Sequence, residues 1–336
     1  MKKASRSHAP AYDVVTIGAA TRDVFARSSH FDVKKDANAP DGLDACLPLG
    51  AKIALDELLF ETGGGATNAA VTFARWGFST ACVSRVGRDA NGADLVAALT
   101  REGVDTRGIQ VDPKTPTAYS VILLSGTGHR AILTARGASR NLDATKIPWS
   151  ALPSRWLYLT SFGGNPKLLA SVFATAKRER RQIAWNPGNA ELDMGFKKLF
   201  PFLMQTDILL MNREEAAHLA ECSPRQLDRI VKKLGSLPRK ALVITDGAHG
   251  SYAHARGTTW HADAYPGKRI NTTGAGDAFG SAFTASIMTD GDIMAALRSA
   301  TLNSFGVITH MGAKAGILAS LPTARMRSRV RVRELR

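Results

Sequence analysis

The stretch "RINTTGAGDAFGSAF", residues 269–283, decides how the chain is read. Gly274 and Gly276 let the backbone come close to an anion and take conformations that a side chain forbids. From Gly276 onward Phe279, Phe283 and Ile287 recur every four residues, which is one face of a helix. A helix starting there leaves the N–H groups of Ala275, Gly276 and Asp277 without carbonyl partners, at the end of the helix that favours anions. Asp277 then has two readings. It is a helix-start residue that complements the dipole, or a carboxylate beside an anion hole, as phosphoryl transfer to a hydroxyl requires. No Gly-Lys-Ser/Thr phosphate loop occurs elsewhere in the chain, which favours the second.

Upstream, short apolar runs alternate with helical stretches. "DVVTIGA" (13–19), "TACVSRVG" (80–87), "WLYLTS" (156–161), "RQIAWN" (181–186), "DILLMN" (207–212) and "ALVITDG" (241–247) read as strands. Helices are expected near 63–77, 90–103, 167–180 and 213–221. The alternation predicts an α/β fold: a doubly wound, mostly parallel sheet with helices on both faces. Segments 31–60 and 110–134 break it. Their strand-like pieces, including 117–125 and 129–135 around a "GTG" turn, predict a small β-sheet lid. In open sheets of this kind ligands collect at the carboxyl ends of the strands. Those ends carry Gly18 and Asp23, Gly87 and Asp89, Asn186 and Gly188, Asn212 and Glu215, and Thr245, Gly247 and Gly250. Together they outline one cleft.

The chain has 336 residues, 44% of them hydrophobic, which suffices for a large core. No apolar run reaches the roughly 18 residues of a membrane span, and "MKKASRSHAP" lacks the apolar core of a signal peptide. Three cysteines, Cys46, Cys82 and Cys222, form no C-x-x-C pair, so a disulfide framework or zinc site is not expected and a cytoplasmic location is. The net charge of +15 favours anionic ligands such as nucleotides and sugar phosphates. Six arginines fall between Arg325 and Arg336. Five alternate with other residues, which reads as a charged edge strand; a nucleic-acid arm is the alternative.

Several motifs together resemble the ribokinase-like (PfkB) carbohydrate kinases. "NTTGAGDAF" is similar to their C-terminal signature, and "GGGATNAAVTFARWG" with "GRDANG" to their N-terminal one. "NREE" resembles their N-x-x-E motif and "TDGAHG" their T-x-G-x-x-G loop. The likeness runs in order from about Asp13 to Leu321. It implies a kinase that uses ATP and Mg²⁺ to phosphorylate a small sugar, sugar acid or nucleoside at a primary hydroxyl. By the same resemblance Asp277 is the catalytic base, and Gly274, Ala275 and Gly276 form the anion hole. Asp23, Gly64 and Asn68 hold the acceptor hydroxyls, and Asn212 and Glu215 organise Mg²⁺. Thr245, Gly247 and Gly250 touch the nucleotide phosphates, Asn186 lies near them, and Asn303 lies near adenine. Relatives often pair through the lid, so a homodimer is implied.

The chain departs from that pattern in three places. Thr21 stands where ribokinases carry Asn, and "SFGGN" replaces a stretch that carries Glu, which argues against ribose as acceptor. Asn271 replaces a usual Asp in a loop that, in many relatives, binds a monovalent cation with the loop matching "MGAKAGIL" (311–318). Lys314 in that second loop offers an ammonium in place of the ion, or simply a lysine in solvent. Weak potassium dependence is the expectation. The expected organisation is an N-terminal tail at 1–12, a kinase domain at 13–323 with lid segments near 31–60 and 110–134, and a basic tail or edge strand at 324–336. The rival reading is a non-catalytic sugar-binding regulator, and it predicts a damaged core, whereas Asp277 and the N-x-x-E pair are in place.

Overall fold

The computed structural model describes residues 11–36, 42–125 and 130–335. The tail before residue 11, part of "APDGL", the "GTG" turn and Arg336 lie outside the described residues. The main sheet has ten strands, in the order Val332–Leu335, Thr258–Ala262, Ser251–Ala255, Ala241–Thr245, Ile208–Asn212, Gln182–Trp185, Ser154–Leu159, Tyr12–Ile17, Thr80–Gly87 and Asp105–Asp112. The seven from Ala241–Thr245 onward run parallel. The other three extend the edge in antiparallel fashion.

Six of the parallel strands, all but the edge strand Asp105–Asp112, are buried on both faces, which is why they read as near-continuous apolar runs. Alternate residues go to opposite layers. Leu157, Leu159, Ile183 and Trp185 pack with the helices Pro166–Glu179 and Phe196–Leu203. Trp156, Tyr158, Ala184 and Ile208 pack with the helices Gly65–Arg75, Ala275–Thr289 and Ile293–Ile308. Edge-to-face ring pairs anchor each layer: Phe173 with Trp185 at 5.4 Å, and Phe73 with Tyr158 at 5.5 Å.

Strand Tyr12–Ile17 has Thr80–Gly87 on one side and Ser154–Leu159 on the other. The chain winds outward from it to Asp105–Asp112, returns, and winds the opposite way. The switch point therefore lies beside Tyr12–Ile17, and the crevice opens at the carboxyl ends there.

A second sheet covers that end. Its order is Glu57–Gly63, Thr21–Ser28, Ala118–Ser125, Arg130–Ala135, with antiparallel, parallel and antiparallel pairings. The register lines up Glu61, Asp23, Ser120 and Thr134 across all four strands. A hairpin of Asp32–Lys35 and Leu43–Cys46 adjoins it in sequence. The lid strand Thr21–Ser28 was not legible, because Arg22, Asp23 and Arg27 interrupt its apolar pattern. Asp105–Asp112 belongs to the main sheet, so the later lid piece begins after it.

The arginine-rich terminus needs a correction. Ala324–Arg327 is a helical turn whose start is capped by Thr323 Oγ1, accepting from Met326 N at 3.3 Å. Only Val332–Leu335 joins the sheet edge, beside Thr258–Ala262. Arg327 pairs with Asp290 and Arg333 with Asp263.

Candidate active site

The helix Ala275–Thr289 starts at Gly274, whose φ is +79°. A side chain is excluded there twice over: the backbone is left-handed, and a Cβ would stand 2.6 Å from that of Ala313. The Ala278 N–H closes the first turn onto the Gly274 carbonyl at 2.9 Å. The Ala275 N–H turns back to the Thr272 carbonyl at 3.3 Å, so it is not free as the sequence implied. Gly276 and Asp277 keep the first-turn N–H groups that helix geometry leaves without internal partners. Nothing lies within 4 Å of a Cβ built on Gly276, which leaves the hole open. Arg130, from the lid, donates to Thr272 Oγ1 at the edge of this loop.

Asn68, in the helix Gly65–Arg75, donates its Nδ2–H to Asp277 Oδ2 at 2.8 Å. Burial raises the Asp277 carboxyl above the ordinary aspartate range, while the Asn68 hydrogen bond and the Lys314 ammonium pull it down. The result is a carboxylate more basic than a free one, held next to two open N–H groups.

On one side of Asp277 lies a hollow lined by Asn186, Asn212, Glu215, Gly274 and Gly276. It meets a second, lined by Gly247, Gly250, Tyr265 and Phe305, at the shared residues Thr245, Gly276 and Phe279. Each has a volume of about 170 Å³. Tyr265 and Phe305 stand 4.9 Å apart, a tilted aromatic pair at the outer end. Neither carried a signal in the sequence, since an aromatic in a helix or loop reads as core.

Asn212 and Glu215 cap the helix Arg213–Ala220 reciprocally. Asn212 Oδ1 accepts from Glu215 N, and Glu215 Oε2 accepts from Asn212 N, both at 2.8 Å. Burial raises the Glu215 carboxyl, the Asn212 N–H lowers it, and Glu214 and Asp277 add to the rise. One Glu215 oxygen is thus used by the cap, and Glu215 lines the hollow. No cluster of three metal-ligating side chains occurs among the described residues. The donor set still fits Mg²⁺, which keeps most of its waters and needs only one or two carboxylates beside substrate phosphates.

On the other side of Asp277 stands the lid. The Asp23 carboxylate lies over Gly63, where a Cβ would meet Oδ2 at 1.8 Å. Gly64, at φ +99°, passes 2.4 Å (as a Cβ distance) from the Ala19 carbonyl. Burial pushes Asp23 up to about 6; the Lys314 ammonium and a Ser120 hydrogen bond oppose the rise, and Asp277 and Glu61 add to it. Asp23, Asn68 and Asp277 are therefore brought to one place. Asn68 Oδ1 is buried there with no protein partner.

Lys314 was expected either near Asn271 or in solvent. It is only 8% exposed, and its ammonium donates to the Thr62 carbonyl on the lid edge. Burial drives it down to about 8, against the upward pull of Asp23, Asp277 and Glu61. Asn271 is buried too: its Oδ1 accepts from Thr273 N at 3.1 Å, and its Nδ2 has no partner.

Asn303, expected near adenine, turns into the protein instead. It is fully buried, donating to the Ala278 carbonyl at 2.9 Å and accepting from Leu318 N at 3.0 Å. Both ends of its amide are used inside the protein. Its helix neighbours Thr301, Ser304 and Phe305 line the hollow instead, because they lie on the adjoining helix face.

Residues 14–319 match the model of the pfkB family carbohydrate kinases. An ATP-dependent ribose-1-phosphate kinase from Halopiger xanaduensis is 26% identical over 248 residues, 74% of this chain and 79% of that protein. Fructokinase-1 from Oryza sativa subsp. japonica is 27% identical over 281 residues, 78% and 85% of the two chains. An E. coli ribokinase II-type protein solved with ATP and Mg²⁺ superposes with a TM-score of 0.77 at 21% identity, covering 95% of this chain and 98% of that one.

Proposed function

The chain belongs to the pfkB family of carbohydrate kinases, and from that premise we propose that it transfers the γ-phosphoryl group of ATP to a hydroxyl, expected to be primary, of a small sugar-like polyol. The observation that carries this is the Asp277 carboxylate, made more basic by burial, beside the open N–H groups of Gly276 and its own residue. Asp277 takes the acceptor's proton as the hydroxyl oxygen bonds to phosphorus and the bond to ADP breaks. A base whose pKa lies nearer neutrality does this better than an ordinary aspartate. The helix N-terminus stabilises charge on the transferred group. Thr245, Gly247 and Gly250 border the nucleotide side, with Asn186 beside the phosphates. Asp23, Gly64 and Asn68 border the acceptor side, and the orphaned Asn68 Oδ1 is ready to accept a hydroxyl. Mg²⁺, held through Asn212 and Glu215, would supply charge neutralisation of the phosphates.

A coupled ADP-release screen over pentoses, hexoses, sugar acids, sugar phosphates and nucleosides tests the reading. Its nucleoside arm tests the nearest alternative acceptor. No ADP release on any arm sinks the proposal. The outer lid face exposes Leu58, Phe60 and Leu133, which supports pairing of two lids; a monomer by sedimentation at micromolar concentration rejects that part.

Two further results are expected. Lys314→Met removes a cation that lowers both Asp23 and Asp277. Both carboxyls then rise, and the acid limb of the kcat/KM–pH profile moves upward by about one unit, the low end of a neighbouring-charge effect. An unmoved limb shows that Lys314 does not act on the base. Potassium should activate less than about threefold over tetramethylammonium at matched ionic strength, because the Asn271 loop offers one negative charge fewer and affinity for hard cations falls with ligand charge. A tenfold activation would show that carbonyls and the amide suffice.

A further inference from the structure

A small cavity of about 50 Å³ lies near Asp23 at the switch point of the main sheet. Thr21, Ser139, Ser161, Arg136 and Arg140 line it, and no Asp or Glu does. Two links place it next to the acceptor residues. Thr21 and Asp23 are two residues apart on one lid strand and so share a face. Thr160, just before Ser161, packs against Gly65, the residue after Gly64.

Arg136 precedes and Arg140 lies within the 3₁₀ turn Gly137–Asn141, both exposed at the rim of the cavity, and the turn is fixed in place. Ser139 Oγ donates to the Ala20 carbonyl at 2.7 Å and accepts from the Ala20 N–H at 3.2 Å. Ala138 N–H donates to the Pro116 carbonyl at 2.8 Å. Gly137, at φ +44°, sits so close that a Cβ would meet that carbonyl at 2.4 Å. The two guanidinium groups are thus carried by an anchored support.

Neither has an acidic partner among the described residues. Arg27, Arg75, Arg85, Arg181 and Arg213 all do. Glu191, the acid under the loop that carries Ser161 and Gly163, is already used: its two oxygens accept from the N–H groups of Phe162, Gly164 and Gly188 at 2.8–2.9 Å. The crevice is therefore polarised. Three carboxylates and one ammonium surround the reacting end, and two uncompensated guanidinium groups stand at the far end. Guanidinium forks match the oxygens of carboxylate and phosphate.

We infer that the acceptor carries an anionic group, a carboxylate or a phosphate, bound between Arg136 and Arg140 at the end remote from the hydroxyl that is phosphorylated. This rests on the kinase reading above and narrows its substrate class.

The test uses the full chain and three matched sets of compounds: five- and six-carbon sugars, the corresponding aldonates and 2-keto-3-deoxyaldonates, and the corresponding sugar monophosphates. Two readouts run in parallel, ADP release and calorimetric binding without ATP. One anionic set should exceed the neutral sugars by tenfold or more in kcat/KM and in affinity, and which set does so names the group. Arg140→Gln with Arg136→Gln should reduce that preference at least tenfold, and the Lys–Lys double variant should restore part of it, which a structural role for the arginines would not give. Neutral sugars bound and turned over as well as both anionic sets, or a preference untouched by the double Gln variant, overturns the inference. The binding readout needs no turnover. Failure of ADP release on every arm with selective binding retained therefore rejects the kinase reading and keeps the anion site.

Discussion

Asp277→Asn should lower kcat by roughly 10²–10⁴-fold, the range ascribed to a general base, with the acceptor KM changed little. The substitution keeps the shape, and the Asn oxygen can still accept from Asn68 Nδ2, which lies 2.8 Å from the native carboxylate. What it loses is the ability to take a proton. The fold should not suffer. The Asp277 carboxyl is raised in the folded state, so its charge opposes folding: the stability it lends is present below its unfolded pKa and is lost as pH rises through the folded value. A neutral amide should therefore melt no lower than the parent at pH 7. Single-turnover phosphate transfer and a melting curve, measured together, decide the matter. More than half the parental kcat removes Asp277 from the chemistry and leaves it as a helix-start residue, a place that tolerates Asn.

Asp23→Ala should raise the acceptor KM by roughly 5–150-fold, since an acceptor hydroxyl left without its charged partner costs about 1–3 kcal/mol. The KM for ATP should stay within twofold, because Asp23 stands on the lid side of Asp277 and the nucleotide hollows lie on the other. A fall in ATP affinity instead would mean that the two ligands have been assigned to the wrong ends. The milder Asp23→Asn variant isolates the electrostatics. Burial holds Asp23 at about 6 against an ordinary 3.8. Its contribution to stability is complete below pH 3.8 and disappears as pH rises through 6. The Asn variant should accordingly gain on the parent above pH 6, with the difference closing below pH 4. Paired melting curves at pH 4 and pH 7.5 check this, and equal differences at both would show that the Asp23 environment is not as dry as its 6% exposure implies.

These expectations describe a site whose charges oppose the fold. Asp23, Asp277 and Glu215 are all raised by burial, and Lys314 is lowered by it. Natural sites keep such groups where ligand binding relieves them. Acceptor hydroxyls and bound phosphates with their counter-ion would supply the missing partners here. Ligand-induced stabilisation is the natural companion measurement to every variant above.

Much of this was legible in the residues. The parallel core reads directly, because a strand covered on both faces is apolar throughout, as in "DILLMN", and that pattern belongs to adjacent residues. The start of the helix at Ala275 reads for the same reason: Gly274 must adopt a left-handed backbone, and Phe279 and Phe283 mark one face. The Asn212–Glu215 capping box is equally local. What only the tertiary structure decided is where distant residues meet. The Lys314 ammonium crosses 252 positions to reach Thr62, and Asn68 crosses 209 to reach Asp277. Asn303 turns inward while Thr301 and Phe305, on the same helix, face the cleft. A 3₁₀ turn docked on Ala20 carries Arg136 and Arg140, which have no acidic partner among the described residues. Periodicity and backbone preference are set within a few residues, so a sequence displays them. Desolvation and charge pairing are set by whatever the fold brings within a few ångströms, and these fix the basicity of Asp277 and the polarity of the crevice.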